Sequence, residues 1–113
     1  MGFKLPERTA LLDFSQSDYA GAEVRVTLKI KIGTFREWEQ VRADADIDSV
    51  ADIILTLVKA WNLEDEDGPI PLSREGIDRI DDIGFLLAVM DGWRAAIAGE
   101  TEVSADLKAT STS

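Results

Sequence analysis

Residues 64–67, with the sequence EDED, are four consecutive carboxylates and form the densest run of ionisable side chains in the chain. Closely spaced carboxylates suit a hard cation such as Ca²⁺. The spacing fits a calcium loop poorly: with the following glycine at the invariant glycine of an EF-hand loop, Leu63 takes the first ligand position and Arg74 the closing one. Only Asp65 and Asp67 then match. A calcium site, a solvated acidic turn and a docking patch for a basic partner all stay open.

The chain also lacks the side chains that most often act in catalysis. The chain contains no histidine and no cysteine, so it lacks the side chain that titrates near neutral pH and the best thiol nucleophile. Disulfides and cysteine-based metal sites are excluded as well. Asp81 and Asp82 could in principle do acid–base chemistry, but neighbouring residues on a helix point in different directions. We therefore expect no enzymatic activity and no cofactor. Because the spacing of residues 64–67 fits a calcium loop poorly, a bound metal is the less favoured of the alternatives for that run.

Length and composition are those of one globular domain: 113 residues, 45% hydrophobic and 30% charged. We expect a single domain over residues 1–99. Residues 100–113 lack periodicity and large apolar groups, which predicts a flexible C-terminal tail. Pro6, Glu7 and Arg8 interrupt any apolar core of a targeting signal, so none is expected. No apolar run approaches the roughly 18 residues that a membrane span needs.

Charge is distributed unevenly along the chain. Residues 1–42 carry seven basic and six acidic side chains, whereas residues 43–113 carry five basic and sixteen acidic ones, a net charge of −11. Such a surface repels nucleic-acid phosphates. A basic partner, or simply high solubility, suits it better.

The elements that must position these residues begin with strands. Residues 9–14 predict a short strand followed by a turn, and residues 23–32 alternate apolar and polar side chains with the period of a half-buried strand. The outward face of this second strand carries Arg25, Lys29 and Lys31. These residues either guard an exposed edge against aggregation or pair with the acidic part of a second copy, which would give a homo-oligomer.

Helices are expected to follow. Thr34 and Glu37 have the spacing of a capping box, which predicts a helix to about Ala43. Residues 47–61 carry apolar side chains at spacings of three and four, which predicts one amphipathic helix that reaches Trp61.

The second part of the chain predicts an acidic loop between two helices. Pro69 and Pro71 cannot continue a helix. Ser73 can cap a short helix, and residues 83–97 form another apolar stripe that Gly99 is placed to close in a left-handed conformation. Strands followed by helices favour an α+β fold, with a small antiparallel sheet of N-terminal strands covered by three to four C-terminal helices.

Trp38, Trp61 and Trp93 all lie on predicted apolar stripes and are expected in the core. Trp61 is the best candidate for a partner contact, because it lies beside the acidic loop and tryptophan is enriched at binding hot spots. The predicted partner-binding residues are Trp61, Leu63, Asp65, Asp67, Ile70 and Leu72.

One series of segments in the chain carries a resemblance to a known protein family. It consists of Trp61-Asn62-Leu63, Asp65, Asp67-Gly68, Pro69-Ile70-Pro71, Ser73-Arg74-Glu75-Gly76, the apolar helix through Met90 to Trp93, and the alternating strand that runs into Gly33-Thr34-Phe35. In this layout, over roughly residues 10–99, the chain resembles the tail assembly chaperones of long-tailed bacteriophages. The similarity is greatest to the small acidic proteins encoded just ahead of the tape-measure protein in phages of actinobacteria.

This resemblance implies a non-enzymatic helper in the host cytoplasm during virion assembly. Such a protein binds the tape-measure protein, keeps its long apolar helices soluble and assists recruitment of tail-tube subunits. It also implies a longer frameshifted product that shares most of the sequence. Two alternatives stay open: a minor tail component that remains in the virion, and an acidic inhibitor that mimics DNA and binds a basic partner.

Overall fold

The computed structural model describes residues 2–112, with side chains described for residues 2–99. Its elements, in chain order, are β1 (Thr9–Leu11), β2 (Val24–Thr27), α1 (Ile32–Asp44), α2 (Ile47–Leu57), β3 (Val58–Trp61), β4 (Glu64–Asp65), β5 (Gly68–Pro69), α3 (Arg74–Asp78) and α4 (Ile83–Thr112). Over the described residues, no helix is long and apolar enough to cross a membrane.

The main sheet has three antiparallel strands in the order β1-β2-β3. Val26 lies at its centre, opposite Ala10 on one side and Val58 on the other, and the register with β3 shifts between Arg25 and Val26. A separate two-stranded hairpin is formed by β4 and β5. Residues 2–112 also form four helices, most of them C-terminal, and together with the sheet they give the predicted α+β fold.

The core lies between the sheet and the helices. Val24 and Val26 of β2 are fully buried, and they belong to one apolar cluster with Ile54 of α2 and Met90 of α4. Trp93, also of α4, is fully buried, and its Nε1 donates a hydrogen bond of 2.8 Å to the carbonyl oxygen of Thr27. This bond satisfies the buried indole N–H of Trp93 and joins α4 to the end of β2.

The predicted strand over residues 23–32 is too long. The ladder ends at Thr27, whose side chain is buried where the alternation would point it outward. The Thr27 hydroxyl accepts a hydrogen bond of 3.1 Å from the backbone N–H of Lys29, a local bond that competes with continued strand pairing. Ile32, expected on the buried face, begins α1 instead and is 72% exposed.

The predicted capping box at Thr34 and Glu37 is wrong. Helix α1 begins three residues earlier than predicted, at Ile32, so Thr34 lies within its first turn. The N-cap is Lys31, which makes no side-chain cap hydrogen bond. The predicted inner side of this helix is confirmed at Trp38, which is buried and stacks on the ring of Phe35 with an interplanar angle of 11°.

The helix predicted to reach Trp61 ends at Leu57. Val58 takes an extended conformation, with φ −85° and ψ 132°, and pairs with Val26 of the sheet. Its side chain is buried in this extended position. A β-branched residue beside an open strand edge gains more from sheet pairing than from one further helical turn, so tertiary context overrides the helical period.

The last helix also differs from the prediction. α4 spans Ile83–Thr112, so Gly99 lies within it and does not close it. Among the described residues, the glycines with positive φ are Gly21 and Gly68, so Gly99 does not take the predicted left-handed conformation. The predicted tail, residues 100–113, lies outside the residues whose side chains are described, and its flexibility stays a prediction.

Candidate partner-binding site

The acidic segment, residues 61–72, starts at the end of the sheet. Trp61 is the last residue of β3, opposite Val24, and its side chain is half-buried. Its Nε1 donates a hydrogen bond of 2.8 Å to the carbonyl oxygen of Ile70. Asn62 then ties the chain to the turn before β2: its Oδ1 accepts from Glu23 N at 2.8 Å and its Nδ2 donates to Gly21 O at 3.1 Å. The segment therefore leaves the sheet in a fixed direction.

The four acids lie in a β-hairpin that follows a strand, where the sequence predicts an acidic loop between two helices. Asp65 pairs with Gly68 across the two-residue turn formed by Glu66 and Asp67. The Oδ1 of Asp65 accepts a hydrogen bond of 2.9 Å from the backbone N–H of Asp67, which closes the turn locally. Gly68 has φ 112°, a conformation that glycine adopts without steric cost. The acidic run thus encodes a tight turn.

Arg79, which follows α3, holds this hairpin from one side. Its Nε donates to Oδ2 of Asp65 at 3.0 Å, and its Nη2 donates to Oδ1 of the same carboxylate. The same guanidinium reaches the carbonyl oxygens of Gly68 at 3.3 Å and Pro69 at 3.4 Å. A two-pronged pair of this kind has defined geometry. Both side chains are mostly covered, with 30% of Arg79 and 26% of Asp65 exposed.

This pair has a consequence for protonation. The hydrogen bonds from Arg79 are the main reason that the pKa of Asp65 lies below its ordinary value of 3.8. The hydrogen bond to Asp65 correspondingly raises the pKa of Arg79. Asp65 is therefore a stably ionised structural anchor and is poorly suited to proton transfer near neutral pH.

The predicted partner-binding residues lie together but differ in access. Ile70 is buried, with 8% of its surface exposed, and its backbone N–H donates to Leu63 O at 2.9 Å. Leu63 and Leu72 are half-buried and pack against the core. Asp67 is exposed. The apolar members of this set thus support the hairpin more than they present a surface.

Helix α3 links the hairpin to the rest of the domain. Ser73 caps it as predicted, its Oγ accepting from Gly76 N at 3.1 Å. Gly76 is buried against the preceding segment: a Cβ atom there would lie 1.7 Å from the carbonyl oxygen of Pro71. Only glycine permits this close approach. At the other side of α3, Arg74 binds Asp52 at 2.6 Å and Asp48 at 3.1 Å, which ties α3 to α2.

A second surface lies on the far side of α3. An open groove of about 220 Å³ runs between α2, α3 and the start of α4. Its apolar lining is formed by Ile47, Ala51, Ile77, Ile80, Ile83 and Leu86. Ile47 is 44% exposed and Ile83 is 60% exposed. Ile80 lines both this groove and a cavity of about 190 Å³ beside the hairpin, so one side chain contributes to both surfaces.

Metal chemistry finds no support in the geometry of residues 2–99. Over these residues, no group of three or more acidic, histidine or cysteine side chains is arranged to hold a metal ion. Both carboxylate oxygens of Asp65 are already bound by Arg79. Asp82, the other acid considered for chemistry, accepts a hydrogen bond of 3.2 Å from Phe85 N at the start of α4. It therefore works as a helix cap.

Sequence reasoning missed Arg79 and the groove. The pairing of Arg79 with Asp65 depends on the hairpin, and the sequence predicts an acidic loop in its place. Ile47 and Ile83 were placed on apolar stripes, yet each is the first residue of its helix and directly follows an aspartate. An apolar residue at a helix start among acids was the available signal.

Comparison of the chain with protein-family models, with curated proteins and with solved structures finds no match in any of the three. Function must therefore be inferred from the residues and their geometry.

Proposed function

We propose that the chain is a non-enzymatic tail assembly chaperone of a long-tailed bacteriophage. In this role it binds helical segments of the tape-measure protein in the host cytoplasm and assists assembly of tail-tube subunits around them. The proposal starts from the resemblance of residues 10–99 to such proteins. It also fits a chain that has neither histidine nor cysteine and a net charge of −10.

One observation supports the proposal most directly: large apolar side chains stay exposed on a strongly acidic protein. The most exposed are Phe3 84%, Leu5 67%, Leu11 53%, Ile32 72%, Ile47 44% and Ile83 60%. Single exposed apolar residues are ordinary, but Ile47 and Ile83 line one groove. Holding apolar helices of a client requires such contact surface, together with charge that keeps the complex soluble.

Co-expression with the tape-measure protein tests this proposal. We expect that protein to be insoluble alone, to become soluble with the chain, and to co-purify with it. Since the contact is partly apolar, co-purification should survive about 0.5 M salt, where the screening length is only a few Å. Failure to co-purify and to improve solubility would overturn the proposal.

A DNA-mimicking inhibitor is the second candidate, favoured by the net charge of −11 over residues 43–113. Its contact with a basic nucleic-acid-binding protein would be mainly electrostatic. The same salt series separates the two functions, because the affinity of a DNA mimic should fall steeply as salt rises.

A minor tail component is the third candidate, from the structural class. It requires the chain to remain in purified virions, whereas a chaperone leaves before the tail is complete. Mass spectrometry of purified virions distinguishes these two outcomes. A homo-oligomer formed through Arg25, Lys29 and Lys31 is compatible with either role and is tested by light scattering of the purified chain.

A further inference from the structure

The groove between α2, α3 and α4 combines exposed apolar side chains with fixed walls. Asp46 caps α2 by accepting from Ser49 N at 3.2 Å, Ser73 caps α3, and Asp82 caps α4. Three capped helix starts thus meet at one surface. Because these walls need little ordering on binding, a ligand gains most of the energy of its contacts.

The charge around the groove is negative on balance. Residues 46–52 and 74–83, which border it, contain seven acidic and two basic side chains. Both arginines are already engaged, Arg74 with Asp48 and Asp52, and Arg79 with Asp65. The remaining acids give the rim a negative potential that attracts cationic side chains.

The backbone around the groove selects the shape of the occupant. The walls are the first turns of helices, so they offer side chains and no open strand edge. An extended peptide would leave its own backbone N–H and C=O groups unpaired against such walls. A helix pairs its backbone internally and can place an apolar stripe into the groove.

We propose that this groove binds one amphipathic helix of a partner protein, with an apolar stripe against Ile47, Ile80 and Ile83 and with lysine or arginine flanking that stripe. The proposal deepens the proposed function and rests on it, because it assumes that the chain works by holding a helical client. It adds the location of the contact and the charge of the client. The acidic hairpin next to Ile80 extends the negative rim.

A synthetic peptide of about 18 residues provides the probe, since shorter helices are marginal in water. It carries leucine on one face and lysine on the flanks, and it is titrated with the full chain by fluorescence anisotropy. Two matched peptides serve as controls: one has glutamate in place of every lysine, and the other keeps its composition but scrambles the leucine spacing. We expect each control to bind at least about tenfold more weakly than the probe, through lost charge attraction and lost apolar burial respectively.

Variants of the chain locate the contact. Ile47→Ser and Ile83→Ser should each weaken binding of the lysine peptide about tenfold, the scale of losing burial of one isoleucine. Ile32→Ser is the matched control: Ile32 is 72% exposed at the start of α1 and is not part of the groove lining. Its affinity should equal that of the unaltered chain. Circular dichroism confirms that each variant folds.

Three results would overturn the assignment: unaltered affinity in the Ile47→Ser, Ile83→Ser double variant, an equal loss in Ile32→Ser, or equal binding of the glutamate peptide. The proposed function can fail separately. If the lysine peptide binds the groove but the tape-measure protein does not co-purify, the proposed function is wrong, and the assignment of the groove as a helix-binding site is supported. If the tape-measure protein co-purifies equally with the double variant, the function stands and the groove is wrong.

Discussion

The acidic segment and the groove both lie next to Ile80, and they differ in how far their contacts are already made. In the segment, the indole N–H of Trp61 is bonded to Ile70, and the carboxylate of Asp65 is held by Arg79. In the groove, Ile47 is 44% exposed and Ile83 is 60% exposed. Trp61 and Asp65 are therefore engaged in contacts within the fold, whereas Ile47 and Ile83 remain available for contact with a partner.

Gly76→Ala should have the largest effect, because it separates α3 from the segment that leads to it. The added Cβ would lie 1.7 Å from Pro71 O and 2.8 Å from Pro71 C, so the backbone must move. We expect a loss of at least about 3 kcal/mol in the free energy of unfolding, measured by urea denaturation.

Gly33→Ala is the control for this substitution. Gly33 lies within α1, and its added Cβ would meet nothing within 4 Å. Alanine favours the helix over glycine by roughly 0.5–1 kcal/mol, so this variant should be as stable as the unaltered chain or more stable. Equal behaviour of the two alanine variants would contradict the close approach of α3 to Pro71.

Arg79→Met should rank second, ahead of Arg74→Met. The pair of Arg79 with Asp65 is mostly covered, whereas Arg74 is 48% exposed and its partners Asp48 and Asp52 are 79% and 71% exposed. Exposed pairs contribute at most about 1 kcal/mol, which bounds the cost of Arg74→Met. Thermal unfolding compares the two variants, and a lower Tm for Arg74→Met than for Arg79→Met would reverse the comparison.

Acid should remove the contribution of the hairpin pair. The pKa of Asp65 is lowered in the folded chain by Arg79, so this stabilisation is present above 3.8 and is lost as the pH falls through the folded pKa. Urea unfolding at pH 7 and at successively lower pH should therefore show a smaller decrease in Asp65→Asn than in the unaltered chain. An identical pH dependence in both proteins would show that the pair does not form.

Trp61→Phe should have a moderate effect. It removes the hydrogen bond from Nε1 to Ile70 O while keeping an aromatic ring on β3. We expect a cost of about 1 kcal/mol, typical of one such bond whose acceptor is left behind. Hydrogen exchange should show faster exchange at the hairpin amides. A cost near zero with unchanged exchange would mean that this bond does not hold the segment.

Ile83→Gln should have the smallest effect on stability, because Ile83 is 60% exposed. We expect the free energy of unfolding to change by less than about 0.5 kcal/mol, as for most surface substitutions. This result would sharpen the comparison by showing that the groove residue is dispensable for folding. A loss as large as that of Trp61→Phe would indicate that Ile83 belongs to the core.

The fold class could be predicted from the sequence because the periodicity of apolar residues indicates which side chains are buried. Val24 and Val26 of the alternating segment and Met90 and Trp93 of the helical stripe are all in the core. The prediction was wrong where contacts between distant residues determine the secondary structure. Val58 continued a helical pattern but joined the sheet, since the open edge of β2 offered pairing that no local pattern records. The predicted site residues lie together, but Asp65 is engaged by Arg79, a contact between distant positions that no local pattern records.

Chemical-shift mapping of the isotopically labelled chain with the lysine-flanked peptide tests most directly whether the groove, and not the acidic segment, is the contact surface. We predict that the largest shifts fall on amides of residues 47–51 and 77–86, with small changes at the hairpin turn. Shifts centred on residues 64–68, or spread evenly over the acidic surface with none at Ile47 and Ile83, would contradict this account.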